Sequence, residues 1–110
     1  MLKKNNVLAI PLSSLDSNHM DPLAYTALNT GLPEACFLIR IINDSDEDVT
    51  VSYDGVVAHD FVPSNYIYQI SFQSNSQPNS NVAYLRKGTI VYLKGAQGAG
   101  FLFLAGYYQP

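Results

Sequence analysis

Asp44-x-Asp46-x-Asp48 places three carboxylates at alternate positions, the spacing that opens an EF-hand calcium loop. Such a loop needs glycine at its sixth position for the sharp turn and a bidentate glutamate at its twelfth. Here Val49 and Gly55 stand at those positions, and the flanking residues read as strands rather than helices, so the stretch reads as a solvated acidic turn. Gly95, Gly98 and Gly100 have the density of a phosphate-binding loop. A Walker loop must continue with Lys and Ser or Thr to reach phosphate and magnesium, and a dinucleotide fingerprint opens a helix. Phe101 and Leu102 follow instead and begin a strand, which leaves the glycines as a strand connection using φ > 0. His19 and His59 are the two histidines; they lie in separate turns, and a zinc site needs three or four ligands at workable spacing. No serine lies in a Gly-x-Ser-x-Gly elbow, and the carboxylates cluster in turns rather than on apolar faces. The sequence therefore assigns no catalytic residue, no cofactor site and no metal site, and the expectation is a protein that is not an enzyme.

Around these residues the composition describes one modest domain. A chain of 110 residues, 47% hydrophobic and 14% charged, has enough apolar material for a single core. At this size about 65% of the unfolded chain's surface is buried on folding. The charged fraction is well below the usual value of about 25%, and Asn, Gln, Ser and Tyr replace the missing charges. Such a surface desolvates more cheaply than one covered in Lys and Glu, and interface cores are depleted in charge and enriched in Tyr. Net charge is −3, and the six Lys and Arg form no basic stripe. Phosphate neutralisation dominates nucleic-acid affinity, so direct nucleic-acid binding is not expected. Cys36 is the sole cysteine and lies in the apolar run Ala35-Cys-Phe-Leu-Ile, which reads as a buried core thiol. The N-terminal lysines precede only a four-residue apolar stretch, Val7 to Ile10, before Pro11, too short for a signal sequence. No run approaches the roughly 20 apolar residues of a membrane helix. Synthesis and folding in a reducing cytosol are expected.

The elements that must position these residues are strands. Val49, Val51 and Tyr53 alternate with Thr50 and Ser52, a period of two that buries one face only as a strand. Asp54-Gly55 follows and suits a two-residue hairpin turn, giving 49–53 and 56–60 as the two arms. Residues 35–42, nearly all apolar apart from Arg40, read as a central strand covered on both faces. Tyr66, Tyr68, Ile70 and Phe72 share one face of another strand. Residues 73–81 are a polar surface loop, 82–85 a short strand, 89–94 a strand, and 101–105 the last strand, running on to Tyr108. In residues 1–33, Leu8, Ile10 and Leu12 alternate across Pro11, the mark of an edge strand or extended arm, and Pro22 to Leu28 reads as a short strand or a helical turn, with strand the favoured reading. Seven to eight short strands with frequent turns and no amphipathic helix predict an all-β fold, an antiparallel β-sandwich or jelly-roll-like barrel over 34–110 with an extended N-terminal arm over 1–33.

Tyr66, Tyr68, Tyr84, Tyr92, Tyr107 and Tyr108 place hydroxyls on many strand faces. Tyrosine suits core packing with the hydroxyl at the rim, subunit contacts, or sugar stacking. Tyrosines on one exposed face, with the Asn-rich loop at 73–81, would make a stand-alone carbohydrate-binding module.

Two stretches taken together carry a resemblance. One runs Asn43-Asp-Ser-Asp-Glu-Asp-Val-Thr-Val-Ser-Tyr-Asp-Gly-Val-Val-Ala-His-Asp-Phe-Val-Pro, the other Arg86-Lys-Gly-Thr-Ile-Val-Tyr-Leu-Lys-Gly-Ala-Gln-Gly-Ala-Gly. They resemble small β-rich virion proteins of tailed bacteriophages, in which an N-x-S-x-x-x-V-x-V-S-x-D-G hairpin precedes a K-G-T-x-V-Y-x-K-G strand. The likeness spans about residues 35–108 and rests on turn glycines and strand positions, so it transfers no functional residue. It implies a structural subunit for capsid decoration, head–tail joining or the tail, acting by self-association and docking without cofactors. The expected location is the virion, and the expected partners are other virion proteins and further copies of the chain, with no membrane. On that reading Val7, Leu8, Ile10, Leu12, Tyr107 and Tyr108 form the partner interface, because an extended edge strand can join a neighbour's sheet.

Overall fold

The computed structural model describes residues 7–71 and 85–109. Among the described residues nine strands run in chain order: β1 Leu8–Ala9, β2 Ser13–Asp16, β3 Thr26–Ala27, β4 Leu38–Ser45, β5 Val49–Ser52, β6 Asp60–Val62, β7 Tyr66–Ser71, β8 Tyr92–Lys94 and β9 Gly100–Tyr108. A 3-10 turn, Ser17–His19, is the one helical element among the described residues. β1, β9, β4 and β7 lie side by side in one sheet, with β2 also on β9; β3, β8, β5 and β6 form the second. All pairings are antiparallel. The all-β sandwich expected from the strand periodicity is the fold observed.

The core lies between the sheets. Ile39 and Ile41 of β4 and Leu102 and Leu104 of β9 face Val49 and Val51 of β5, Val62 of β6 and Leu93 of β8, all buried. Each fully buried aliphatic side chain contributes about 1.5–3 kcal/mol by leaving water. Cys36 joins this core as expected; it is buried, and burial pushes its thiol pKa up, with Glu34 adding to the shift.

Four sequence expectations are corrected. Residues 7–33 are an edge segment of the sandwich rather than an arm outside it: β1 and β2 pair with β9 of the same chain, and Ile10, Met20, Leu28 and Leu32 are buried in its core. Of the segment from Pro22 to Leu28, only Thr26 and Ala27 are strand. After them the Asn29 side chain substitutes for a strand backbone, accepting from Val91 N–H at 2.8 Å and donating to the Thr89 carbonyl at 3.2 Å. β4 is central but alternates between buried and half-buried residues, so only its inner face is covered.

The fourth correction concerns the hairpin. β5 pairs with Asp60–Val62, with Val49 opposite Val62 and Val51 opposite Asp60, so 53–59 is a loop and 56–60 is not its second arm. Local hydrogen bonds outcompete the two-residue turn. Asp54 Oδ1 accepts from Val56 N–H at 2.8 Å and Val57 N–H at 3.0 Å, while Ser52 Oγ accepts from Gly55 N–H at 2.9 Å. These bonds hold the Asp54 carboxyl down at about 2, the backbone donors of Val57 and Val56 being the main cause. Phe72, Tyr84, the loop at 73–81 and most of the 82–85 strand lie outside the described residues.

Candidate functional site

Several of the residues that could have done chemistry hold structural hydrogen bonds. Asp46 Oδ1 accepts from Ala99 N–H at 2.9 Å and Asp48 Oδ1 from Ser64 N–H at 2.8 Å, so two of the three turn carboxylates each tie down a different loop. Among the described residues no three His, Cys, Asp or Glu side chains come together as a metal site. His59 Nδ1 accepts from Tyr53 N–H at 3.0 Å, the two rings stack, and Nε2 lies 4.0 Å from Asp54 Oδ2. Asp60 bridges the sheets: Tyr53 Oη donates to its Oδ2 at 2.8 Å and Tyr68 Oη to its Oδ1 at 2.9 Å. Burial, reinforced by the Asp60 carboxylate, raises both tyrosine pKa values. Of the loop glycines, Gly100 alone has positive φ; a Cβ there would strike the Asp44 carbonyl of β4. Gly95 is needed for close approach, since its Cβ would lie 2.7 Å from the Asp48 carbonyl oxygen.

What remains exposed is the outer face of the five-stranded sheet. Because alternate residues of β4 and β9 fill the core, Ile42, Phe101 and Phe103 must point outward. The register sets Ile67 of β7, Ile42 of β4 and Phe103 of β9 in one row across the sheet. The chain crossing from β1 to β2 brings Leu12 beside them, completing a shallow groove with Asn65 and Tyr66 at its rim. Phe101 and Phe103 stack at 6.2 Å. Leu12 is 60% exposed, Ile67 61%, Tyr66 62% and Phe101 46%. Contiguous apolar surface of this kind is a place where soluble proteins meet partners. The other end of the same face is polar and aromatic: the Arg40 guanidinium sits 5.9 Å from the Tyr107 ring centre and Nη2 donates to Gln69 Oε1 at 3.3 Å.

The six residues expected at an interface separate here. Leu12 joins the apolar groove. Val7 and Leu8 are exposed at the sheet edge, and Tyr107 is half-buried on the outer face under Arg40. Ile10 is not available to a partner: it is 7% exposed in the chain's own core, with its N–H bonded to the Gly106 carbonyl at 3.0 Å. Tyr108 faces inward against that core, opposite Leu8. Sequence reasoning missed Ile42, Ile67, Phe101 and Phe103. The available signal was that Phe101-Leu-Phe-Leu is apolar at both parities, which a strand with one solvated face does not need. Among the described residues the tyrosines do not gather on one exposed face: Tyr53 and Tyr68 bind Asp60, Tyr92 lies against Gly55, Tyr107 lies under Arg40, and Tyr66 is exposed at the start of β7.

No family model matches this chain, and no curated protein matches it. Among solved structures, the crystal structure of SPP1 Dit (gp 19.1), described as a paradigm of the hub adsorption apparatus in Gram-positive infecting phages, is similar at a TM-score of 0.46 and 11% sequence identity. That similarity covers 96% of this chain, which spans 50% of the Dit chain.

Proposed function

We propose that this protein is a non-enzymatic structural subunit of a phage virion, acting by self-association and by docking onto capsid, head–tail or tail proteins. The observation that carries the docking role is the apolar row Leu12, Phe103, Ile42 and Ile67 left open on the outer face of a sheet whose inner face is already filled. The chain's low charge supports it, because interface cores are depleted in charged residues; Asp44 is the one charged side chain lining the groove. The phage setting rests on the resemblance of the two stretches noted above. In the fold they are adjacent: β5 and β6 from the first pair side by side, and β5 also pairs with β8 from the second.

The test has two parts. Genes for portal, capsid or tail proteins are expected beside the gene for this chain. Their purified products are expected to include one that comigrates with the full chain in size-exclusion chromatography, and Leu12→Asp and Phe103→Asp are expected to abolish comigration while leaving the far-ultraviolet circular dichroism spectrum unchanged. Absence of such genes, or binding indifferent to both substitutions, overturns the reading.

A further inference from the structure

We propose that the edge of β7 facing away from β4, unpaired among the described residues, pairs antiparallel with the same edge of a second copy of this chain, joining two five-stranded sheets into one continuous sheet. The inference rests on the self-associating part of the reading above and names its contact. Sheet edges are normally blunted, because a row of unpaired N–H and C=O groups templates another strand. Three edges of this sandwich are blunted. β3 is two residues long and β6 is three with Asp60 among them. The β1–β2 edge is broken at Pro11, where the register against β9 slips by one residue. β7 differs. It runs six residues, Tyr-Ile-Tyr-Gln-Ile-Ser, with no proline and no charge, and among the described residues it pairs only with β4.

The direction of its peptide groups follows from the register. The bond from Ile10 N–H to the Gly106 carbonyl turns the peptide groups of Gly106 toward β1. Hydrogen-bonding direction alternates along an antiparallel strand. Carried across β9 and β4, the alternation leaves the N–H and C=O groups of Ile67, Gln69 and Ser71 on the far side of β7. A two-fold axis perpendicular to the sheet pairs outer-face residues with outer-face residues, so these three positions exchange bonds with one another across the axis. The strand's lack of charge makes this self-pairing free of like-charge opposition. It would also run the apolar outer faces of both copies together through Ile67.

The test is light scattering on the full chain across a wide concentration range, with amide hydrogen exchange. A dimer is expected, with the amides of Ile67, Gln69 and Ser71 gaining protection as concentration rises while those of the β4-facing residues are protected throughout. Gln69→Pro removes an outward donor and leaves the β4 ladder intact, as proline at an edge strand does. Gln69→Lys adds the edge charge that β7 lacks. Each is expected to raise the dimer dissociation constant at least about tenfold; if the proline variant fails to fold, the lysine variant decides. A chain that stays monomeric, or a dimer indifferent to these variants, overturns the proposal. Because Gln69 does not line the groove, either result leaves docking through Leu12 and Phe103 to be judged separately.

Discussion

Asn43→Ala is expected to be among the most damaging single changes to a polar residue in this protein. Asn43 is 1% exposed, and its amide satisfies four groups. Nδ2 donates to the Glu47 carbonyl at 2.9 Å and the Val62 carbonyl at 3.1 Å. Oδ1 accepts from Ser45 N–H at 3.1 Å and Ser45 Oγ at 2.6 Å. The amide thereby ties the end of β4 to the turn before β5 and to the end of β6, joining the two sheets at one corner. Truncation leaves the Glu47 carbonyl a donor, because Ser45 Oγ also reaches it at 3.1 Å. Ser45 N–H loses its Asn43 acceptor, whereas the Val62 carbonyl loses one of two donors and keeps its β5 ladder partner Val49. An orphaned buried polar group costs about 1–3 kcal/mol, out of the roughly 5–15 kcal/mol of a typical domain. At about 4 °C per kcal/mol for a chain of this size, Tm falls by about 4 °C or more. Ser45→Ala strands neither group, since Asn43 Oδ1 keeps Ser45 N–H, and it is expected to cost about 1 kcal/mol or less. Asn43→Asp provides a sign test. A carboxylate there faces two carbonyl oxygens and donates to neither, so its folded pKa rises above the ordinary aspartate value of about 3.9. Its stability is then present below that value and lost as pH rises, narrowing the gap to wild type in acid. Urea melts of the three variants at neutral and acid pH test this. Equal and small costs for Asn43→Ala and Ser45→Ala would refute the reasoning.

Other perturbations have equally definite outcomes. Gly100→Ala places a Cβ against the Asp44 carbonyl at a φ of 113°; it is expected to cost about 2 kcal/mol or more, seen as a lower urea midpoint. The Asp54 carboxyl, held at about 2, contributes stability that is present above the ordinary aspartate pKa and lost as pH falls toward about 2. Asp54→Asn should therefore melt below wild type at neutral pH and converge with it in strong acid. Tyr53 and Tyr68 have pKa values raised by burial and by Asp60. Their stabilisation is complete below the free tyrosine pKa of about 10 and is lost above it. Alkaline unfolding of wild type is expected to coincide with their ionisation by ultraviolet absorbance, and Tyr53→Phe is expected to weaken that coupling.

Much of the architecture is local and was legible. A period of two at Val49, Val51 and Tyr53, or at Tyr68 and Ile70, buries a single face only in a strand. Residue chemistry likewise excluded an EF-hand at Asp44, because Val49 and Gly55 occupy positions the loop reserves for other residues. The turn after β5 was misread for a physical reason: Asp-Gly suits a two-residue hairpin, but Asp54 and Ser52 side chains offer the backbone competing bonds whose outcome depends on where β6 docks. Pairing register lies between distant segments. It took Ile10 into the chain's own core and turned Tyr108 inward, and it assembled Leu12, Ile42, Ile67 and Phe103 from four parts of the chain into one row. Periodicity along a strand states which residues share a face; only the sandwich, by filling one face of the sheet from the opposite layer, decided which of its two apolar faces stays open.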